Sequence, residues 1–299
     1  MWLLLAFLSA TLLGFYDTCK KHSLKNNAVL PVLFLNTIFC SLFFLPFIAI
    51  STWNPDLLNG TPFSMPTADW KTHCQILLKS GIVLSSWISG YFAMKHLPLT
   101  IVGPINATRP VMVLIGALLF FGERLNLYQW IGVSLAIISL FLLSRSGKKE
   151  GIDFKSNRWI GLLVLAAIMG AISGLYDKQL MKTLSPMLVQ SWYNVYQVFI
   201  MCPIILLLWF PQRKKSTPFQ WRWSIILISL FLCAADFAYF YALSYEESMI
   251  SIVSMVRRGS VVVSFACGAL FFREKNLKSK AIDLILVLIG MFFLYLGTK

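Results

Sequence analysis

The stretch Trp130–Leu143, WIGVSLAIISLFLL, runs for fourteen residues without a charged side chain. Polar and apolar residues do not alternate along it, whereas a strand of a membrane β-barrel requires that two-residue period. In hydrocarbon every backbone N–H and C=O needs a partner within the protein, so a continuous apolar run predicts a helix. Extended to its polar borders, residues 127–144, this helix would be about 27 Å long, close to the thickness of the hydrocarbon layer.

The whole chain shares this apolar character. Of its 299 residues, 58% are hydrophobic and 13% are charged, and the mean hydropathy is +0.74. Soluble domains carry about 25% charged residues, so the composition predicts an all-α polytopic membrane protein. The formal net charge of +14 comes mainly from basic residues in short polar gaps, where they would determine topology rather than bind nucleic acid.

Further apolar runs are bounded by charged or Pro/Gly-rich segments. The first begins at Trp2 without a basic start or a small-residue cleavage site, which predicts a retained helix rather than a signal peptide. In all, the sequence predicts ten transmembrane helices, near residues 2–20, 28–50, 76–94, 99–121, 127–144, 159–177, 187–210, 223–243, 249–272 and 281–297.

The two halves of the chain resemble each other. GFYD (14–17) recurs as GLYD (174–177), residues 91–109 align with 239–257, and GALLFFGER (116–124) is similar to GALFFREK (268–275). The matches keep the same order, which predicts duplication of a five-helix unit. Because five is odd, the second unit enters the membrane from the opposite side, so the two units form an inverted repeat, an architecture common among alternating-access carriers.

Each half closes with an F-F-x-E-R/K motif before its last helix. The motif residues are Phe120, Phe121, Gly122, Glu123 and Arg124 in the first half, and Phe271, Phe272, Arg273, Glu274 and Lys275 in the second. Over nearly the whole chain, this pattern resembles the drug/metabolite transporter superfamily, and within it the EamA-domain transporters. The resemblance implies a first repeat at residues 1–146, a linker at 147–157 and a second, inverted repeat at 158–299. It also implies transport of metabolites or drugs.

Four charged residues fall near the middle of predicted helices. These are Arg109, Arg257, Arg258 and Asp236. A charge at a helix centre costs roughly 2.5–3.5 kcal/mol on insertion scales, so such residues usually serve a function. Three arginines facing one aspartate predict an electropositive site for a carboxylate or phosphate. The alternative is a buried Arg–Asp pair that locks helices together.

Asp17 and Asp177 end the two Gly-x-Tyr-Asp copies. Asp17 has Lys20 and Lys21 at i+3 and i+4, whereas Lys178 beside Asp177 points elsewhere on a helix. A terminal ion pair therefore explains the first copy better than the second. Two interpretations stay open for both aspartates: a gate or cavity wall used in coupling, or a snorkelling cluster at the membrane interface.

Uncharged residues complete the predicted site. Tyr16, Tyr176, Tyr239, Asn106 and Trp87 are predicted to line the walls, although Asn and Tyr also hydrogen-bond between helices. No nucleophile with a base, phosphate loop or metal motif is present in the sequence. We therefore expect neither an enzyme nor a cofactor or metal.

These residues predict a secondary active transporter, an exporter or exchanger of a small anionic or zwitterionic metabolite. It would work by alternating access at a midplane site between the two repeats, in the cytoplasmic (inner) membrane. The alternative is an exporter of cationic or hydrophobic drugs in which the arginines are structural. The expected partners are the metabolite, membrane lipid and protons as a coupling ion, and exchange without protons fits equally well.

Orientation can be tested directly. Most basic loop residues follow odd-numbered helices, which by the positive-inside rule places both termini outside, whereas the family resemblance implies termini inside. From the charge distribution, we expect a reporter that is active only outside the cytoplasm to be active when it is fused to Lys299. Activity of only a cytoplasmic reporter would instead establish the orientation of the family.

Overall fold

The structure is a computed structural model that describes residues 1–58, 60–96, 99–145, 158–214, 217–260, 262–263, 266–267 and 277–297. The predicted linker at 147–157 and the second motif, Phe271–Lys275, lie outside these residues. The described part of the chain is helical and contains no strand. Its α-helices are α1 (Trp2–Leu24), α2 (Val29–Trp53), α3 (Trp70–His96), α4 (Leu99–Phe120), α5 (Leu127–Arg145), α6 (Arg158–Met181), α7 (Pro186–Ile204), α8 (Ser224–Ser244), α9 (Ile250–Arg258) and α10 (Leu277–Leu296).

Six segments are long and apolar enough to cross a membrane: Trp2–Leu24, Val29–Trp53, Trp70–Ala93, Arg158–Met181, Pro186–Trp209 and Ser224–Ser244. Large apolar side chains such as Leu4, Leu42 and Leu207 are exposed on these helices. A helix that presents such residues outward needs an apolar solvent. The chain is therefore a multi-pass membrane protein.

Helix α3 begins at Trp70, earlier than the predicted start near residue 76. The Asp69 carboxylate accepts a hydrogen bond of 3.0 Å from the Thr72 N–H, as an N-cap residue does. Hydrogen bonds from Thr72 hold the pKa of the Asp69 carboxyl below its ordinary value. The earlier start places Lys79 about 13 Å along the helix instead of at its head.

The helices of the two halves of the chain pack against each other. The main contacts are those of α1 with α8, α3 with α6, α2 with α7, and α5 with α10, and α4 also packs on α6 and α9. Trp87 of α3 contacts each of three apolar clusters that fill the interior. The interior therefore lies between the halves, so residues distant in sequence meet there.

The glycines of the two Gly-x-Tyr-Asp copies have different surroundings. A Cβ atom at Gly14 would overlap Val263 and lie 2.9 Å from the Ser260 carbonyl oxygen. At Gly174 it would lie at ordinary contact distance, 3.8 Å from Val113 and 3.9 Å from the Tyr239 hydroxyl. Only the first glycine therefore permits a close helix approach.

Substitution of these two glycines by alanine should have opposite effects. Gly14→Ala overpacks the contact between α1 and the chain after α9, at a cost of about 1–3 kcal/mol. Gly174→Ala gains helix propensity without a clash, so its melting temperature should equal or exceed that of the wild type. Thermal unfolding of the purified proteins in detergent measures both, and equal melting temperatures for the two variants would contradict the packing described.

Candidate substrate-binding site

A buried ion pair connects the two halves near the centre of the molecule. Lys79 of α3 donates to Oδ1 of Asp177 on α6, and the two side chains are 2% and 6% exposed. Tyr239 of α8 donates to Oδ2 of the same carboxylate over 3.2 Å. The Lys79 ammonium also lies 4.6 Å from the ring centroid of Tyr193 and 4.8 Å from that of Phe240. Asp177 is thus an interior residue and not a snorkelling one.

Lys79 was missed in the sequence because the predicted third helix began too late. A lysine close to a helix start ordinarily reaches the membrane surface. Two signals could have identified it: the Asp69-x-x-Thr72 pattern that begins α3, and the absence of an in-helix lysine partner for Asp177. The predicted mismatch of Lys178 is correct, since its ammonium points away from Asp177.

A second ion pair joins α8 to α9. An Nη atom of Arg257 lies 2.8 Å from Oδ1 of Asp236, and the guanidinium lies 3.9 Å from the centroid of the Tyr239 ring. This is the Arg–Asp pair of the alternative interpretation. The Nε atom of Arg257 is buried without a hydrogen-bond partner, so one donor of this arginine is available. Tyr239 contacts both ion pairs and connects them.

Arg109 of α4 is half-buried, and its guanidinium lies on Gly170 of α6, where a Cβ atom would overlap it. It interacts electrostatically with Arg258 and Arg257, which repel it, and with Asp177, which attracts it. Among the residues that the structure describes, no carboxylate forms an ion pair with Arg109. The three arginines therefore occupy one region, and among the described residues Arg257 is the one of the three that forms an ion pair.

Asp17 of α1 is half-buried and also interacts with charges of this region. It interacts electrostatically with Lys20 first and then with Arg258. The Lys20 ammonium lies over the rings of Tyr91 and Tyr16, 4.4 Å and 5.1 Å from their centroids, and the two hydroxyls are 3.3 Å apart. The predicted terminal ion pair is therefore incomplete, because the lysine contacts aromatic rings and Arg258 also faces the carboxylate.

The internal repeat explains which charges are paired directly. Its alignment matches Tyr91 with Tyr239, and each tyrosine hydroxyl contacts the Gly-x-Tyr-Asp copy of its own half. When this alignment is continued without a gap toward the starts of α3 and α8, Lys79 corresponds to Leu227 and Asp236 corresponds to Ile88. The residues that pair with Asp177 and Arg257 therefore have apolar counterparts in the other half. Asp17 and Arg109, the counterparts of that aspartate and that arginine, lack equivalent partners for this reason.

The remaining predicted residues lie at different distances from the arginines. Asn106 is half-buried on α4, one turn before Arg109 and on the same face. Trp87 is half-buried in the interior. The Tyr176 hydroxyl donates to the carbonyl of Gln75 over 3.3 Å, about one turn nearer the start of α3 than Lys79. The structure thus brings Tyr239 to the arginines and directs Tyr176 away from them.

Glu123 of the first motif has a structural contact. Its carboxylate accepts hydrogen bonds from the backbone N–H groups of Ile250 and Ser251, at 2.6 Å and 3.2 Å, and from the Ser251 hydroxyl. It therefore caps the first turn of α9, where a negative charge is favourable. Nearby, the Lys178 ammonium donates to the Ser248 hydroxyl over 2.7 Å and to two carbonyls at the end of α8. The motif glutamate thus stabilises the connection between α8 and α9.

The model of the EamA-like transporter family matches the chain twice, over residues 1–145 and 157–296. The chain belongs to the EamA-like transporter family. A crystal structure of another protein superposes on 99% of this chain and 97% of its own, with a TM-score of 0.75 at 13% sequence identity. At that identity the similarity concerns the fold alone. The resemblance to transporters drawn from the sequence is confirmed by the family match.

Curated relatives of this EamA-like protein match only part of it. One is the probable 4-amino-4-deoxy-L-arabinose-phosphoundecaprenol flippase subunit ArnE of Aeromonas salmonicida, 35% identical over 25% of this chain and 60% of the relative. Another is an uncharacterized transporter of Sinorhizobium encoded in the cobO 3′ region, 33% identical over 28% of this chain and 57% of the relative. The chain thus spans about 60% or less of the length of these two relatives.

The buried pair can be tested by removing one charge or both. Lys79→Met leaves the Asp177 carboxylate buried without a cation, which typically costs about 3–5 kcal/mol. Lys79→Met combined with Asp177→Asn removes both charges at nearly constant volume and should recover most of the loss. Melting temperatures in detergent measure this difference. A double variant as unstable as the single one would contradict a direct pair.

Proposed function

We propose that this EamA-like protein is a secondary carrier, an exporter or exchanger of a small anionic or zwitterionic metabolite. Arg109, Arg257 and Arg258 would hold the negative group of the substrate between the two halves. The observation that carries this proposal is the half-buried guanidinium of Arg109, which lies beside two other arginines without a paired carboxylate among the described residues. A guanidinium without an ion-pair partner can bind a carboxylate or phosphate through two parallel hydrogen bonds.

The contact pattern supports an inverted repeat of ten spans. If each helix is replaced by its counterpart in the other half (α1 with α6, α2 with α7, and so on), the α1–α8 contact becomes the α6–α3 contact, which is also present. The same exchange leaves the contacts of α2 with α7, α4 with α9, and α5 with α10 unchanged. Such a pattern is expected of two five-helix units related by a pseudo-two-fold axis. The two matches of the family model fit repeats at 1–146 and 158–299 in a cytoplasmic (inner) membrane.

In this carrier the aspartates act as counter-charges or as coupling groups. Asp236 orients Arg257, Asp177 is held by Lys79, and Asp17 faces Arg258. Tyr239, between the two ion pairs, lines the site with Asn106, Trp87 and Tyr16. Coupling to protons through one of the carboxylates and exchange without protons are both consistent with this arrangement.

Export of cationic drugs is the second candidate. It needs a carboxylate and open aromatic faces for the cargo. The structure instead places the Lys20 ammonium over Tyr16 and Tyr91, and the Lys79 ammonium between Asp177 and the rings of Tyr193 and Phe240. These surfaces are therefore occupied by cations of the protein, which favours an anionic substrate. The ArnE relatives are named for a phosphate-linked substrate, which also carries an anionic group.

A thermal-shift screen against metabolites sorted by charge tests the proposal. Anions or zwitterions should raise the melting temperature, by an amount set by concentration relative to Kd. In proteoliposomes, Arg109→Ala and Arg257→Ala should weaken use of the best hit about 10- to 100-fold, as expected for loss of a charged hydrogen bond. Normal transport by both variants, or stabilisation by organic cations alone, would refute the assignment.

The glycine beneath Arg109 offers a milder test. Gly170→Ala should displace the flexible guanidinium and weaken anion binding without greatly changing the melting temperature. Gly161→Ala, on the same helix, is the matched control because a Cβ atom there meets no other atom within 4 Å. Unchanged anion affinity in Gly170→Ala would show that the observed position of the Arg109 side chain is unimportant for binding.

A further inference from the structure

The central carboxylates each face a cation other than Arg109. Asp177 pairs with Lys79 and Asp236 with Arg257, whereas Asp17 interacts with Lys20 and Arg258 at a longer distance. Arg109 is left over from this arrangement. Of the three carboxylates, Asp177 is the one that attracts Arg109 electrostatically. It is therefore the carboxylate able to become an internal partner of Arg109.

The geometry of α6 makes such a pairing accessible. Arg109 lies on Gly170, and Asp177 follows seven residues later on the same face, about 10.5 Å along the helix axis. Gly174 lies between them on that face, and the Tyr239 hydroxyl lies 3.9 Å from where its Cβ atom would be. The Asp177 carboxylate is instead engaged on both oxygens, by Lys79 at Oδ1 and by Tyr239 at Oδ2. These two contacts occupy the carboxylate, so it is not free to bind Arg109.

We propose that Lys79 is an affinity-determining residue of the anion site, because it sequesters Asp177 and so leaves the Arg109 guanidinium available to the substrate. Lys79 does not touch the substrate in this proposal and acts as a positioning residue. Without its ammonium, Asp177 becomes the counter-charge of Arg109 and competes with any bound anion. The inference rests on the proposed function, and it assigns a role to a residue outside the predicted site.

The other half of the molecule is consistent with this role. The matching helix α8 carries no lysine, and Asp17 interacts electrostatically first with Lys20 of its own helix and then with Arg258. A central carboxylate without such a lysine thus faces one of the site arginines. Lys79 occupies Asp177 and so prevents it from pairing with Arg109, which has no ion-pair partner among the described residues.

Three variants and one probe test this proposal. Binding of inorganic phosphate is measured by thermal shift or calorimetry at low ionic strength, with the full-length protein in detergent. Lys79→Met should weaken phosphate binding by about tenfold or more, the effect of one added partner charge at an effective dielectric constant near 20. Asp177→Asn should bind phosphate as tightly as the wild type or more tightly. The variant that carries both substitutions should bind within about threefold of the wild type.

The opposite effects of the two single substitutions distinguish this role from a structural one. If the ion pair served only to hold α3 on α6, both single variants would weaken binding, and the proposal would be overturned. If Lys79→Met is too unstable to purify, the other two variants still test the proposal, since weakened binding by Asp177→Asn or by the double variant refutes it.

The Arg109→Gln variant distinguishes failure of this inference from failure of the proposed function. If Arg109→Gln binds phosphate like the wild type, the proposed anion site is wrong. If Arg109→Gln loses phosphate binding but the Lys79 and Asp177 variants do not show the opposite effects stated above, the anion site stands and this inference is refuted.

Discussion

The ion pair between Lys79 and Asp177 joins α3 to α6 across the boundary between the two halves. A charge in the interior of a membrane protein is tolerated when another charge or dipole compensates it. The nearest cation to Asp177 along its own helix, Lys178, points to the end of α8, so the compensation has to come from the other half. This requirement sets the register of α3 against α6. It also places Tyr239, and through it Arg257, at the centre.

A second constraint follows from the first. Lys79 belongs to the first half and Asp177 to the second, so neither half could compensate this buried pair alone. The interleaved packing of α1 on α8 and α3 on α6 is the arrangement in which those charges meet. Because the charges that compensate each other differ between the two halves, the site is asymmetric although the helices repeat. Arg109 and Arg257 occupy matching places in the repeat, yet within the described part of the chain a carboxylate is bound to Arg257 and not to Arg109.

Many features of the fold and of the candidate site could be predicted from particular residues. The length and continuity of apolar runs such as Trp130–Leu143 predicted helices whose limits agree with the structure at most ends. The repeated Gly-x-Tyr-Asp and the F-F-x-E-R/K motif pointed to the transporter family. The position of Arg109 and Arg257 inside predicted apolar runs marked them as candidates for a buried site. The start of α3 was misplaced because a single N-cap, Asp69, outweighs the polarity of the residues that follow it. Because of that error, Lys79 was not recognised as a buried residue.

The sequence by itself determined the membrane class, the order and limits of most helices, the family and the set of charges costly enough to require an explanation. These follow from local hydropathy and from short motifs, which depend on neighbours along the chain. Tertiary structure alone decided which charge compensates which: Lys79 with Asp177, Asp236 with Arg257, and Arg109 without a direct partner among the described residues. Ion pairing acts over a few ångströms in space and is indifferent to separation along the chain, so spacing in the sequence could not reveal it.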